Sequence, residues 1–287
     1  MGNEKASGTD EPLVLYSIAD GVATITLNRP ARLNPISHGA GSMQRAIVDC
    51  LIAADEDDAV GCVVITGAGR SFSSGGDVSS GKPPETGLDW YWFLTEEDVD
   101  NEKIRELRKP VIGAINGICY GAAMMMVAHF DMLIASSDAR FGLIETRFGG
   151  TGAEALNYLI GPQWAKFMAL TGELLTAAKA KEIGLVLEVV PPESLLAKAQ
   201  DLGRRIAAMP RNTMIMNRRL INSGMNVSGW KAQKEAGIAF NAVTNSCFSE
   251  HRAWNGERFS DLMKKDWNTY KEVRDAPFKK SWFDSAS

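Results

Sequence analysis

The stretch Lys109–Met126 reads KPVIGAINGICYGAAMMM, and the rest of the chain is organised around it. This pattern predicts a short buried strand, a tight turn with glycines at its corner, and then the start of an apolar helix. A helix that begins directly after such a turn points free backbone N–H groups at whatever lies in front of it. Those groups would stabilise an oxygen that becomes negatively charged during a reaction. An ordinary buried strand–turn–helix, with glycines that serve close packing, explains the stretch alone equally well.

Composition indicates an ordinary globular protein. The chain has 287 residues, of which 45% are hydrophobic and 23% are charged, with a net charge of −4. This length suffices for one large domain or for a domain with an extension. Because the net charge is small and no block of basic residues stands out, the sequence predicts no nucleic-acid partner.

The cysteines and histidines limit the cellular location and the metal sites that the sequence can predict. Cys50, Cys62, Cys119 and Cys247 are widely spaced and form no CxxC pair, which favours a reducing, cytoplasmic location over a disulfide framework. The three histidines are far apart along the chain, so no metal site is predicted. No apolar run reaches the roughly 20 residues that span a bilayer, so no membrane partner is predicted either.

Strands alternate with helices through the first two thirds, which predicts an α/β fold with a helical C-terminal third. We divide the chain into a disordered tail (1–11), an α/β core (12–192) and a helical C-terminal region (193–287) that would serve oligomerisation. The main predicted elements are a hairpin over Leu13–Ile18 and Val22–Leu27, a helix capped by Ser37 and ending near Ala54, a strand over Gly61–Gly67, an aromatic cluster at Trp90–Phe93 that precedes a polar helix, and a helix interrupted at Gly161.

Five motifs, taken in order, resemble the crotonase superfamily, the enoyl-CoA hydratase/isomerase family. They are NRP…NP from Asn28, FSSGGD from Phe72, KPVI…NG…G from Lys109, ARFG…E from Ala139, and LTG…AAKA…GLV from Leu170. The resemblance covers roughly residues 13–280 and implies a crotonase-type ββα spiral with a helical C-terminal part. It also implies an enzyme that binds acyl-CoA thioesters and assembles as a homotrimer or as a dimer of trimers. No cofactor is implied, because coenzyme A is part of the substrate.

The resemblance implies that two backbone N–H groups stabilise a thioester enolate, and the matching positions here are Gly76 and Ala122. Family hydratases typically carry two glutamates. At the first position this sequence has Met125, which cannot move a proton. At the second position it has Glu145, which follows Leu143-Ile144, so burial should raise its pKa.

Both glutamates in this region also have purely structural interpretations. Glu145 could pair with Arg147 or Arg140, although the resemblance favours the catalytic role. Glu154 lies near the start of a helix, where the helix dipole favours a carboxylate, and this structural reading is preferred over a catalytic one.

A single glutamate restricts the chemistry without fixing it. It could act on a water that adds to the β-carbon of a 2-enoyl-CoA, which is our leading hypothesis. It could instead move a proton between two carbons, as in double-bond isomerisation, or assist a water that attacks a carbonyl in hydrolytic C–C cleavage. A non-catalytic acyl-CoA binder is a further alternative, because Met125 replaces a glutamate.

The resemblance also places the CoA-binding residues. They are expected at Arg32 and Leu33 in the loop after the first hairpin, at the backbone of Ser73, Ser74 and Gly75 with the neighbouring Asp77, and at Phe278 with Lys280 near the C-terminus. A solvated tail is an equally good explanation for the lysines there. Trp90 and Met125 are expected to line the acyl pocket, and the Trp90–Phe93 cluster suggests a bulky acyl group.

Overall fold

The computed structural model describes residues 11–79 and 84–285. The predicted disordered tail (1–11) therefore lies outside the described residues, except for Glu11. Within the described part the chain forms ten strands: β1 Val14–Ala19, β2 Val22–Leu27, β3 Cys62–Gly67, β4 Ser71–Ser73, β5 Val111–Ile115, β6 Ile118–Tyr120, β7 Met132–Ser136, β8 Arg140–Gly142, β9 Leu175–Thr176 and β10 Glu188–Val190.

Ten α-helices complete the described part of the chain. They are α1 Met43–Glu56, α2 Gly87–Glu106, α3 Ala122–Val127, α4 Leu156–Thr171, α5 Ala177–Glu182, α6 Leu195–Ala207, α7 Arg211–Val227, α8 Trp230–Ser246, α9 Phe259–Lys265 and α10 Trp267–Asp275. None of the helices among the described residues is both long and apolar enough to cross a membrane.

The strands form two sheets, and from β3 to β8 the chain visits them alternately. One sheet has the order β1-β2-β3-β5-β7-β10, and the other has the order β4-β6-β8-β9. The ββα units β3-β4-α2 and β5-β6-α3 each give their first strand to the larger sheet and their second to the smaller one, whereas both strands of β1-β2-α1 belong to the larger sheet. This alternation is the predicted ββα spiral with a helical C-terminal region.

The larger sheet is buried on both faces. In β3, Val63 and Ile65 belong to the main core, whereas Cys62 and Val64 pack in a second cluster with Leu195 of α6. Because strands covered on both faces need apolar side chains on both, this burial explains why the GCVVITG segment lacks polar alternation.

Two predicted boundaries are wrong. The first helix is capped by Ser42, whose Oγ accepts from Arg45 N at 3.2 Å, because Gly39 and Gly41 have positive φ and break any helix that starts at Ser37. Ser37 still accepts from Met43 N at 3.0 Å. The Trp90–Phe93 cluster lies inside α2 rather than before it, since a capping box of Thr86 and Asp89 starts that helix at Gly87.

Other boundaries follow the sequence closely. The hairpin forms as predicted, with β1 and β2 antiparallel. Gly161 does interrupt α4: its φ of 73° is outside the helical range, and Pro162 follows it. The C-terminal third is helical, as expected from its composition.

Candidate active site

The centre of the site is a close approach between two chain segments, the residues after β4 and the β6–α3 turn. Gly75 has a φ of +97°, and a Cβ at this position would lie 2.7 Å from Tyr120 O and 3.5 Å from Ala122 N. No other residue type fits there without moving the backbone. This approach brings the Gly-Gly pair next to the first turn of α3.

Two backbone N–H groups at this junction have no hydrogen-bond acceptor among the described residues: those of Gly76 and Ala122. Ala122 is the first residue of α3, so its N–H has no intrahelical partner. The bridge between Ile36 and the Gly-Gly pair uses Gly75 O and Asp77 N, both at 2.8 Å, and leaves Gly76 N unused. A Cβ on Gly76 would meet nothing within 4 Å, so open space lies beside this group.

Glu145 lies immediately beside these N–H groups. It sits in a short 3-10 turn, Ile144–Arg147, and its main-chain oxygen accepts from Gly150 N at 2.9 Å. A Cβ on Gly121 would lie 3.1 Å from Glu145 Oε2, and one on Gly152 would lie 3.5 Å from Oε1. The carboxyl group is therefore held between two glycines, and its side chain reaches the N-terminus of α3.

The Glu145 carboxyl group is buried, and no described residue forms an ion pair with it. Its Oε2 has no hydrogen-bond partner among the described residues. The two arginines suggested as structural partners bind elsewhere: Arg147 pairs with Asp275 at 2.9 Å, and Arg140 donates to backbone carbonyls. Burial raises the pKa of Glu145 from 4.5 to about 8, and the charges of Glu97 and Glu154 add to this rise.

Met125 occupies the position at which the family resemblance implies a second glutamate. Its Cε lies so close to Gly152 that a Cβ on this glycine would be 2.1 Å away. The side chain is partly buried against the main core. Met125 therefore presents an apolar surface next to Glu145, where a carboxylate would have presented a second acid or base.

Glu154 is held by an ion pair rather than by a helix dipole. Lys234 of α8 places its Nζ 3.3 Å from Glu154 Oε1 and 2.6 Å from Asp98 Oδ1. Glu154 lies just before α4 and not in its first turn, and the ion pair supports a structural role for it. Sequence reasoning missed Lys234 and Asp98, because α2 and α8 lie far apart in the chain and meet only in the fold.

The residues predicted to bind CoA fall into two places. Leu33 O accepts from Ser74 N at 2.9 Å, which joins the Arg32–Leu33 loop to the segment Ser73–Gly75. Arg32 is exposed beside this junction. Asp77 is engaged by the fold itself: its carboxylate pairs with Arg29 at 2.8 Å and accepts from Ser79.

The aromatic and C-terminal residues lie at other edges of the site region. Trp90 packs edge-on against Phe93, whose ring meets that of His38 at 5.3 Å. The Phe278 ring lies under the Arg147 guanidinium at 4.1 Å, so the C-terminal segment contacts the Glu145 loop of its own chain. Lys280 is exposed. The CoA-binding and acyl-pocket roles of these residues stay predictions.

The fold and the site define an α/β enzyme of the crotonase type, with a buried carboxyl group beside free backbone N–H groups. The chain belongs to the enoyl-CoA hydratase/isomerase family, whose model matches residues 17–281.

Individual relatives agree with this family. The chain is 33% identical to the 1,2-epoxyphenylacetyl-CoA isomerase of Escherichia coli over 73% of this chain and 82% of the relative. It is 32% identical to a probable mitochondrial enoyl-CoA hydratase of Dictyostelium discoideum, over 86% and 87% of the two chains. A crystal structure of an enoyl-CoA hydratase/isomerase from Xanthobacter autotrophicus Py2 matches with a TM-score of 0.85 and 30% identity, covering 93% of this chain and 99% of the other.

Proposed function

We propose that this enzyme adds water to a 2-enoyl-CoA, with Glu145 as the group that moves the proton at the α-carbon. The observation that carries this proposal is the buried, unpaired carboxyl group of Glu145 beside the free N–H groups of Gly76 and Ala122. The names of the relatives, which include both hydratases and an isomerase, support enoyl-CoA chemistry without choosing the reaction.

The proposed mechanism starts from the thioester carbonyl oxygen bound by the N–H groups of Gly76 and Ala122. Water adds its oxygen to the β-carbon, and negative charge moves onto the thioester oxygen, where the two donors stabilise it. Protonated Glu145 gives a proton to the α-carbon from one oxygen and recovers one from the water through its other oxygen. The product is a 3-hydroxyacyl-CoA, and the glutamate ends protonated as it began.

We propose that the CoA moiety lies along Arg32, Leu33 and the Ser73–Gly75 backbone, since these segments join directly to Gly76. A homotrimer or a homohexamer is also proposed. Its support is a set of exposed apolar side chains on α7 and α8, which include Leu220, Ile221, Phe240 and Val243. A cytoplasmic location is consistent with four cysteines that are all free thiols.

Double-bond isomerisation is the second candidate, and Met125 is the observation that favours it. An apolar side chain at this position leaves Glu145 as the carboxyl group next to the N–H donors. Ionised Glu145 would remove a proton from the α-carbon of a 3-enoyl-CoA and return it to the γ-carbon. Incubation with crotonyl-CoA and with a 3-enoyl-CoA separates the candidates, because hydration removes the conjugated-enoyl absorbance and isomerisation creates it.

The pH dependence also separates the two reactions. Hydration by the proposed route needs protonated Glu145, so kcat/KM should be flat at low pH and fall as the pH rises through about 8. Isomerisation needs the ionised form, so kcat/KM should rise up to about the same pH. Profiles between pH 6 and 9.5 measure this, and a hydration rate that rises through this range would contradict the assigned role.

Ala122→Pro tests the second N–H donor. Proline is tolerated at the first position of a helix but has no N–H, and its ring enters the space in front of that nitrogen. We expect kcat/KM to fall by about 10²–10³-fold, the usual effect of losing one such donor. Ala122→Gly keeps the N–H and serves as the control. Equal activity of the proline and glycine variants would remove Ala122 from the mechanism.

A further inference from the structure

A cavity whose lining includes several charged side chains lies next to Met125 and Gly152, on the side formed by α2 and α8. About 40 Å³ of it is accessible to the centre of a water molecule. Because one water needs roughly 10–15 Å³ of such volume, the cavity has room for about three or four. The polar residues that line it are Glu97, Asp98, Asn101, Thr151, Glu154, Lys234 and Asn241.

The charges around this cavity leave one carboxylate without a cation of its own. Lys234 is ion-paired with Asp98 at 2.6 Å and with Glu154 at 3.3 Å. Burial lowers the pKa of Lys234, but the two carboxylates outweigh burial and raise it, so the amine stays protonated. Glu97 has no ion pair or side-chain hydrogen bond with any described residue, although it lines the same cavity.

Glu97 and Glu145 lie close enough for their charges to interact. Met125 and Gly152 separate the cavity that Glu97 lines from Glu145. Both residues line this cavity. On the other side, a Cβ on Gly152 would lie 3.5 Å from Glu145 Oε1. Because methionine is unbranched and flexible, the Met125 side chain can move out of the space between the cavity and Glu145. Water held at Glu97 therefore lies one side chain away from the Glu145 carboxyl group.

The geometry points to Glu97 as the base that binds and deprotonates the attacking water, with Glu145 as the acid toward the α-carbon. This inference rests on the proposed hydration and changes one of its steps. Glu97, rather than the second oxygen of Glu145, takes the proton of the water. The water O–H bond breaks, its oxygen bonds to the β-carbon, and its proton passes to the Glu97 carboxylate. Glu145 gives its own proton to the α-carbon, and a second water in the cavity returns the proton from Glu97 to Glu145.

The electrostatics of the cavity support this division of roles. Burial raises the pKa of Glu97, the charges of His38 and Lys234 oppose the rise, and those of Asp98 and Glu154 add to it. Burial together with repulsion from Glu97 and Glu154 raises the pKa of Glu145 to about 8. Two carboxyl groups that repel each other do not both ionise readily, and His38 and Lys234 favour the ionised form of Glu97.

Glu97→Gln, with Glu96→Gln as the matched control, tests the inference. Glu96 is the preceding residue of α2 and is exposed. We expect Glu97→Gln to lower kcat for crotonyl-CoA hydration by about 10²–10⁴-fold, as for the loss of a general base. Exchange of the α-protons of butyryl-CoA with D₂O should stay within about threefold of wild type, because Glu145 and the two N–H donors suffice for it.

Further readouts distinguish a catalytic from a structural role. Removing the charge of Glu97 leaves Glu154 as the repelling neighbour of Glu145 and so lowers the pKa of Glu145. The fall of residual hydration activity at high pH should therefore begin at a lower pH than in the wild type. Formate should partly restore hydration to Glu97→Ala, because a small carboxylate fits the opened cavity.

Two outcomes overturn the role of Glu97 alone: wild-type-like hydration by Glu97→Gln, or equal losses of hydration and exchange, which would indicate a structural role. A wild-type protein that hydrates no 2-enoyl-CoA rejects the proposed function and this inference together.

Discussion

Glu145→Gln is expected to lower turnover of the enoyl-CoA substrate by about 10²–10⁴-fold while KM changes little. Glutamine keeps the size and polarity of the side chain but neither gives nor takes a proton at the α-carbon. The N–H groups of Gly76 and Ala122 remain, so the thioester should still bind. Steady-state kinetics with crotonyl-CoA and with a 3-enoyl-CoA measure the effect on both candidate reactions.

Protein stability provides the control for this variant. The pKa of Glu145 is raised above its unfolded value of 4.5, so the wild-type fold loses stability as the pH rises from that value through about 8. Glutamine does not ionise, so the variant should be the more stable protein above pH 8. Thermal unfolding at pH 6 and pH 9 checks this, and a variant with full activity would contradict the role of Glu145.

Arg218→Met is expected to lower the free energy of unfolding by about 3–5 kcal/mol, the cost of removing one partner of a buried ion pair. The Arg218 guanidinium is buried and binds Asp131 at 2.8 Å. It also donates to the carbonyl oxygens of Ile104, Arg105 and Leu107 at the C-terminus of α2. These carbonyls have no intrahelical partners, so their burial without the arginine is unfavourable.

Urea unfolding followed by circular dichroism measures this loss. Arg219→Met is the matched control, because Arg219 is the next residue of α7 and is exposed. The control should stay within about 0.5 kcal/mol of wild type. A similar, small change for both variants would show that Arg218 does not hold α2 in place.

Local signals in the sequence predicted much of the fold. They also predicted the close backbone approach and the buried Glu145 of the site. The Gly-Gly pair after β4 and the turn before α3 are short-range patterns, and they correctly indicated a close backbone approach. The apolar neighbours Leu143 and Ile144 correctly indicated that Glu145 is buried. Gly161 ends one helical segment and begins another, as its conformational freedom suggested.

The remaining features depend on packing between distant segments. Lys234 and Asp98 lie on α8 and α2, far apart in the chain, and no local pattern pairs them. Glu97 belongs to a helix without a clear apolar stripe, so periodicity could not indicate which face is inward. Ser42 rather than Ser37 caps α1, because two glycines between them adopt positive φ.

These long-range contacts change the picture of the site. The sequence indicated a lone carboxylate beside an apolar helix, whereas the structure adds a polar cavity with a buried ion-pair network next to Met125. The charged side chains of this cavity and its room for water, next to Met125, are what the proposed role of Glu97 rests on.

The central claim is that the Glu145 site hydrates an enoyl thioester. Its most direct test is incubation of the wild-type protein with crotonyl-CoA in D₂O, followed by mass spectrometry of the product. The account predicts 3-hydroxybutyryl-CoA with one deuterium on the α-carbon. Unchanged crotonyl-CoA, with CoA-ester binding detected by calorimetry under the same conditions, would contradict it.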